Sequence, residues 1–158
     1  MLQSLRKRVD RDEDEKGFTL IELMVVVLII AILIAIAIPT FLGLRRRAQD
    51  RAAQSNLRNG LTAAKAFYTD AETYSGFTVA AGTAIEPSLT WVAGNPANVG
   101  EVGFILPATT PVGQEFVLNA VSASTNRFCI ADSSTQGTSR GTAFATSYAT
   151  CLAATPNW

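Results

Sequence analysis

The chain has 158 residues, and its 13 lysines and arginines balance 13 aspartates and glutamates, so its overall charge provides no attraction to nucleic acid. It contains no histidine, which removes the commonest general base and metal ligand. Its length fits one small domain in addition to a long apolar segment near the N-terminus.

A charged N-terminal segment meets that apolar run in the stretch KGFTLIEL, residues 16–23. From Leu23 to Ile38 there are sixteen consecutive apolar residues. In a helix each residue adds about 1.5 Å of length. Together with residues 18–21, the run would therefore form a helix nearly as long as the hydrocarbon core of a bilayer is thick, roughly 30 Å. Glu22 begins this run, and a carboxylate at the centre of a membrane costs on the order of 3 kcal/mol. Glu22 therefore needs a position near the interface or a cationic partner, such as a free amino group at Phe18.

Two ordinary explanations of this N-terminus are a secretory signal and an uncleaved membrane anchor. Residues 35–37, Ala-Ile-Ala, have the small-x-small pattern of a signal cleavage site. Against a signal, the apolar run is slightly too long, Glu22 begins it, and the preceding segment has five acidic and five basic residues. An uncleaved anchor leaves the residue order GFTLIE unexplained.

The stretch GFTLIELM, residues 17–24, followed by Val, Ile, Leu and Ala and then Pro39, closely resembles the N-terminus of type IV pilins. The strong similarity covers residues 16–70. It implies an α+β fold, in which a long N-terminal helix packs on a C-terminal antiparallel sheet. It also implies a leader peptide at residues 1–17, cleavage by a prepilin peptidase between Gly17 and Phe18, N-methylation of Phe18, and a role for Glu22 in packing subunits into a fibre.

The helical pattern continues beyond the apolar run, because small and apolar residues recur at three- and four-residue spacings up to Ala71. We expect one helix from residue 18 to about residue 73. Residues 18–44 are apolar on every side and are predicted to span the membrane or form a fibre core. Residues 45–74 are amphipathic and are predicted to pack on a sheet.

Two features of this helix concern the membrane. Pro39 lacks an N–H group and predicts a kink about one turn upstream. Arg45, Arg46 and Arg47 are interpreted as a collar at the level of the lipid headgroups, and contacts to neighbouring subunits or acidic lipid are the alternative. Because positive charge lies on both sides of the apolar run, orientation rests on the resemblance, which places residues 1–17 in the cytoplasm and the rest outside.

Residues 75–158 are predicted to form a globular β head. Short stretches of aromatic or β-branched residues between turn residues predict strands at 102–106, 115–121, 127–131 and 143–150. Residues 80–100 are predicted to be irregular, and residues 133–141 to be a loop. We therefore expect an antiparallel sheet of about four strands.

Cys129 and Cys151 are the only cysteines. A disulfide between them is favoured, and it would stabilise the head by about 3 kcal/mol in the chain-entropy model. Two unrelated buried thiols are the alternative, since sequence does not provide their separation. The resemblance agrees with a bridge, because type IVa pilins typically carry a C-terminal disulfide-bounded loop. A bridge would place the head in an oxidising compartment.

The leading interpretation is a structural subunit, a major or minor pilin, that polymerises into a helical fibre of identical chains. The resemblance implies a single-pass protein of the inner membrane with its head outside, and then an extracellular pilus on the cell surface. It implies as partners the prepilin peptidase and methyltransferase, the assembly platform and minor pilins.

The alternatives are a pseudopilin of a type II secretion system and a DNA-uptake pilin. Major pseudopilins usually lack the bridge and carry a calcium site near the C-terminus, but here Asp132 is the only acid after Glu115, so no metal site is predicted. Only Arg127 and Arg140 are cationic after Lys65, so no nucleic acid is required.

No enzymatic activity and no cofactor are predicted. Serines and threonines are plentiful, but without histidine, and with few lysines, none has an evident base. Thr19 is interpreted as a helix-start residue rather than a reactive group.

Overall fold

The computed structural model describes residues 17–108, 112–154 and 158. In this part of the chain the elements are α1 (Leu20–Ala71), α2 (Val79–Ile85), β1 (Thr90–Ala93), β2 (Glu101–Ile105), β3 (Glu115–Val121), β4 (Arg127–Ser133), β5 (Gly137–Gly141) and α3 (Tyr148–Ala153). The strands form one sheet in the order β1-β2-β3-β4-β5, antiparallel except for the parallel pair β1 and β2. The expected α+β architecture is confirmed, with five strands rather than about four.

The chain divides into two compact units after Leu42. In the first unit, the described residues 17–42 are all exposed and lie before or within α1. The second unit, Gly43–Trp158, contains the rest of α1, the sheet and the two short helices. Every buried side chain in the described part of the chain belongs to this second unit.

In the second unit, α1 packs on the sheet through a stripe of mostly small residues. The buried members of this stripe recur at spacings of three and four residues and are Ala53, Leu57, Gly60, Ala63 and Ala64. A Cβ atom at Gly60 would lie 3.1 Å from Leu118 Cδ1 and 3.4 Å from Val102 Cγ1. Gly60 interrupts the good helix formers in the sequence, but here it lets the helix approach two strands closely.

α1 ends at Ala71, slightly before the predicted end near residue 73. Glu72 has a left-handed backbone with φ of 52°, which stops the helix. The Tyr74 N–H then donates to the Gly113 carbonyl at 2.7 Å, and the Thr73 hydroxyl donates to the same oxygen at 3.3 Å. A Cβ at Gly113 would collide with Thr73 Oγ1, so this close approach requires glycine.

β1 and β2 are parallel although only residues 94–100 join them. Parallel neighbours usually need a connection of a dozen or more residues. Here Gly94 and Gly100 have φ of 84° and 92°, which turn the chain sharply at both ends of the connection. The returning segment lies against Gly103 of β2, where a Cβ would collide with the Gly94 carbonyl oxygen.

The sheet has a core on each face. β3 alternates between them: Phe116 and Leu118 join the large cluster shared with α1, while Val117 belongs to a smaller cluster on the opposite face. On that second face the buried Asn119 donates to Asn95 Oδ1 and to the Ala145 carbonyl, both at 2.8 Å, and accepts from the Ala145 N–H at 3.0 Å. Asn119 thus holds two loops against the sheet.

Three of the predicted strands are confirmed. The strands predicted at 102–106, 115–121 and 127–131 correspond to β2, β3 and β4, and their ends agree within two residues. The strand predicted at 143–150 is wrong. That segment bends and then begins α3, whose start is capped by reciprocal hydrogen bonds between Ser147 and Thr150. Capping outweighs β-propensity here, because it satisfies N–H groups at the helix start.

The predicted loop at 133–141 is also wrong, since it contains β5. β5 has the sequence GTSRG, without alternating apolar residues, and its strand conformation comes from pairing with β4. The stretch 80–100, predicted to be irregular, contains most of α2 and all of β1. Thr78 caps α2 by accepting a hydrogen bond from the Ala81 N–H at 3.2 Å.

Candidate functional site

The N-terminal motif surrounds the start of α1. Gly17, Phe18 and Thr19 precede the helix, and Glu22 lies in its first turn. The Thr19 N–H and hydroxyl donate to Glu22 Oε2 at 2.9 and 2.6 Å, and the Glu22 N–H donates back to Thr19 Oγ1 at 3.3 Å. This reciprocal arrangement is a capping box, with Thr19 at the N-cap position.

The prediction of Thr19 as a helix-start residue is confirmed, since α1 begins at Leu20, but its contact with Glu22 was not predicted. Its signal is the pattern Thr-x-x-Glu at residues 19–22. In the uncleaved chain Phe18 is joined to Gly17 by a peptide bond and has no free amine. Pairing of Glu22 with an amine at Phe18 therefore stays a prediction for a cleaved chain.

The apolar side chains of the first unit form an uncovered surface. Among its large apolar residues, Leu42 is the least exposed at 47% and Phe18 the most at 92%. α1 is long and apolar enough to cross a membrane. Because soluble proteins rarely expose contiguous apolar patches larger than a few hundred Å², lipid or the apolar surfaces of other chains must cover this one.

Pro39 lies near the C-terminal end of the first unit, and the arginine collar follows it in the sequence. Pro39 is inside α1, and the hydroxyl of the neighbouring Thr40 donates to the Ile36 carbonyl at 3.3 Å. The collar, Arg45–Arg47, is exposed and lies about two helical turns after Pro39. The kink at Pro39 and the placement of the collar at the lipid headgroups stay predictions.

A buried carboxylate ties α1 to the sheet in the second unit. Asp132 of β4, only 6% exposed, forms an ion pair with Lys65 of α1, with 2.9 Å between Nζ and Oδ1. The hydroxyls of Tyr74 and Thr138 donate to its two oxygens, each at 2.7 Å. Burial raises the pKa of Tyr74, and the hydrogen bond to Asp132 raises it further. Tyr74 therefore stays a hydrogen-bond donor, and Asp132 is fully engaged in the fold.

A second carboxylate of α1, Asp50, holds the turn between β3 and β4. The Ser124 hydroxyl donates to its Oδ1, and Asn126 Nδ2 donates to its Oδ2 at 3.0 Å. Burial acts to raise the pKa of Asp50, but hydrogen bonds from Ser124, Ser122 and Asn126 outweigh it and lower the pKa below its usual value. Ionised Asp50 thus fixes the turn against the helix.

Cys129 of β4 and Cys151 of α3 form a disulfide, which confirms the predicted bridge. Their Cα atoms are 5.9 Å apart, at a sequence separation of 22, and both residues are fully buried. The bridge fastens α3 to the face of the sheet opposite α1. Cys151 lies on a helix rather than at the end of a strand.

The predicted site residues therefore form two groups. One is the cysteine pair in the second unit. The other lies before or inside α1 in the first unit and comprises Gly17, Phe18, Glu22 and Pro39. Within residues 17–108, 112–154 and 158, no three His, Cys, Asp or Glu side chains are grouped so that they could hold a metal ion.

Comparison with known proteins identifies the family. Residues 14–38 match the family model of the prokaryotic N-terminal methylation motif. Over 62 residues, 39% of the chain, the sequence is 48% identical to the type IV major pilin protein PilA of Myxococcus xanthus, and this match spans only 28% of that relative's length. Over 123 residues, 78% of the chain, it is 32% identical to the type IV wide pilus major component PilA4 of Thermus thermophilus, covering 76% of that protein. The chain belongs to the type IV pilin family.

As a member of this family, the protein is a structural pilin subunit. The apolar first part of α1 fits the membrane anchoring of a pilin. No solved structure matches the chain.

Proposed function

We propose that this pilin is made as a prepilin that is cleaved between Gly17 and Phe18, N-methylated at Phe18 and polymerised through α1 into a type IV pilus. The uncovered apolar surface of α1, which begins directly after the Gly17-Phe18 junction, is the observation that supports this most. Outside a membrane, this surface stays dry only in a bundle of similar helices.

In this proposal residues 1–17 are the leader, and residues 18–44 cross the inner membrane first and form the fibre core later. Residues 45–74 are the amphipathic half of the helix, and residues 75–158 are the head. The fully buried disulfide supports a head outside the cytoplasm, because such bridges persist in oxidising compartments. The partners are the prepilin peptidase and methyltransferase, the assembly platform, minor pilins and further copies of the chain.

Glu22 would set the axial register of the fibre. It is the only ionisable side chain between Lys16 and Arg45, and its charge is costly in lipid unless a cation compensates it. In a fibre of staggered helices, the methylated amine of Phe18 on a neighbouring chain would be that cation. The apolar surface would then supply the adhesion, and the charge pair the register.

Mass spectrometry of sheared surface fibres tests the processing. We expect a chain that begins at Phe18, carries one added methyl group and is two hydrogens lighter than its reduced form. A mass that begins at Met1 would contradict cleavage, and one that begins at Ile38 would indicate an ordinary signal peptide. Electron microscopy of the same fibres distinguishes a pilus from the pseudopilus of a type II secretion system.

Gly17 variants test the cleavage position. Gly17→Leu should leave uncleaved precursor in the membrane, because a bulky side chain replaces a small one at the proposed cleavage site. Gly17→Ala is the matched control and should be cleaved at least in part. Full cleavage of Gly17→Leu would show that this position is not recognised by the peptidase.

A further inference from the structure

Two arginines of the second unit are stacked on one tryptophan. Cζ of Arg58, on α1, lies 5.1 Å from the centre of the Trp158 ring, and Cζ of Arg140, on β5, lies 5.6 Å from it. The indole N–H of Trp158 donates to the carbonyls of Cys129 and Gly141, at 3.1 and 3.0 Å, which fixes the ring against β4 and β5. Both arginines are exposed. The ring therefore orders two guanidinium groups at the surface.

The charge of these arginines is not neutralised within the second unit. Among the described residues the only ion pair joins Lys65 to Asp132. Residues 109–111 and 155–157, the only ones after Gly17 outside the described part, carry no charged side chain. A guanidinium that lies on an aromatic ring keeps N–H groups at its edge that bind a carboxylate. Because the ring already orders it, such a group loses little conformational entropy on binding an anion.

Negative charge dominates the other edge of the sheet. Residues 66–126 include α2, β1 and β2, and they contain five acidic residues but no lysine or arginine. Glu86 lies between α2 and β1 and is partly exposed. Its carboxylate accepts hydrogen bonds from the Ser88 N–H and hydroxyl. Since β1 and β5 are the two edges of the sheet, Glu86 and Arg140 belong to opposite edges.

Glu86 and the stacked arginines lie at the same level of α1. The indole N–H of Trp91, on β1, donates to the Glu86 carbonyl at 3.2 Å. The Trp91 ring packs on α1, because a Cβ at Gly60 would lie 3.4 Å from its Cη2 atom. Gly60 is two residues from Arg58, or about 3 Å of helical rise. A second copy beside the first, with little axial offset, can therefore bring its Glu86 to Arg58 and Arg140.

We propose that the surface formed by Arg58, Arg140 and Trp158 binds the Glu86 carboxylate of a second copy of this chain. This inference rests on the proposed function, in which copies polymerise through α1, and it adds a contact between their heads. The two surfaces differ and lie at opposite edges, so the contact is heterologous. Each chain binds one neighbour with its arginines and another with Glu86. Heterologous contacts that do not close into a ring continue as a helical filament, which agrees with a fibre.

Charge reversal in the full-length chain tests this contact. Arg58→Glu with Arg140→Glu reverses one surface, Glu86→Arg reverses the other, and the triple variant exchanges the two charges. The measurement is the ratio of sheared fibre protein to mature, cleaved pilin in the membrane, with the disulfide checked as a sign of a folded head. Asp70→Arg is the matched control, because it replaces an exposed acid of α1 outside the proposed contact and changes the net charge as Glu86→Arg does.

Each reversal should lower the ratio about tenfold or more, because like charges then face each other. The triple variant should regain most of the wild-type ratio, and Asp70→Arg should assemble normally. Normal assembly of either reversal, or a triple variant no better than the reversals, would overturn the inference. An equal loss from Asp70→Arg would also overturn it, since net charge would then explain the result. Loss from the arginine variant alone would show that the arginines bind another anion, such as a lipid phosphate, and not Glu86.

Wild-type and Glu22→Ala chains keep this inference distinct from the proposed function. If the wild-type chain forms no fibres, the proposed function fails, and the contact between heads fails with it. If the wild type forms fibres and Glu22→Ala does not, while both reversals assemble normally, only the inference about Glu86 fails. Fibres from the triple variant but not from either reversal would support both.

Discussion

The two parts of α1 have the same backbone conformation but opposite surroundings. From Leu20 to Leu42 every residue is exposed, whereas beyond Gly43 the helix buries a stripe of mostly small residues on the sheet. The first part is apolar on all sides and the second on one side only. A sheet can cover one face of a helix, but a helix that is apolar all round must be surrounded. The side-chain pattern therefore assigns the first part to lipid or other chains and the second to its own head.

The polar groups of the two parts differ in the same way. In the second part, Lys65 and Asp50 both bind partners from the sheet or its turns. In the first part, Glu22 is bonded only to Thr19 through one carboxylate oxygen, within the described residues. Assembly and head stability should thus depend on different residues.

The strongest test of this separation is Glu22→Ala. We expect it to enter the membrane and fold its head with the disulfide intact, but to assemble few or no fibres, because no charge remains to pair between chains. Glu22→Asp should be intermediate, since it keeps the charge but shortens the reach. The measurement is the ratio of sheared fibre protein to membrane pilin. Wild-type fibre yield from Glu22→Ala would show that the carboxylate does not determine assembly.

The largest effect on the head should come from the disulfide. Cys151→Ser should lower the free energy of unfolding by about 2–5 kcal/mol, as removal of a native bridge from a small domain does. Denaturant unfolding of the detergent-solubilised chain measures this. Cys129→Ser is the matched control and should lose a similar amount. Labelling of both thiols by an alkylating reagent in native, unreduced pilin would contradict the bridge.

A smaller effect is expected at the buried ion pair. Asp132→Ala leaves the buried Tyr74 hydroxyl without its acceptor and should lower the free energy of unfolding by about 2 kcal/mol. Lys65→Met should cost less than about 1 kcal/mol, because half of the Lys65 side chain is exposed and solvent screens its charge. The two variants are compared in the same unfolding assay. A larger loss from Lys65→Met would contradict this order.

The smallest effect should be a pH dependence from Asp50. Its pKa is lowered in the folded chain, so ionised Asp50 stabilises the fold above its unfolded pKa of about 4. That stabilisation is lost as the pH falls through the folded pKa. Asp50→Asn should therefore be less stable than the wild type at neutral pH, and the difference should shrink in acid. A difference that does not change with pH would show that the charge of Asp50 does not matter.

The parts of the candidate site that neighbouring residues in the sequence define could be predicted. The stretch GFTLIE, which includes Glu22, is local, and the apolar run follows it directly. The capping box also has a local signal, the pattern Thr-x-x-Glu at residues 19–22. The pairing of Lys65 with Asp132 has no such signal, because the two residues are far apart in the chain and meet only when α1 lies on β4.

The sequence by itself determined the long helix, its two surfaces and the strands β2, β3 and β4, because a period of 3.6 or short runs of β-branched and aromatic residues mark them. It left two arrangements open for the cysteines, and the tertiary structure selected the bridge by placing Cys129 and Cys151 on facing elements. Only the tertiary structure decided that 137–141 is a strand and that 148–153 is a helix. β5 is polar and rich in glycine, so its conformation depends on hydrogen bonds to β4. Such pairing joins distant residues, and no local pattern in the chain encodes it.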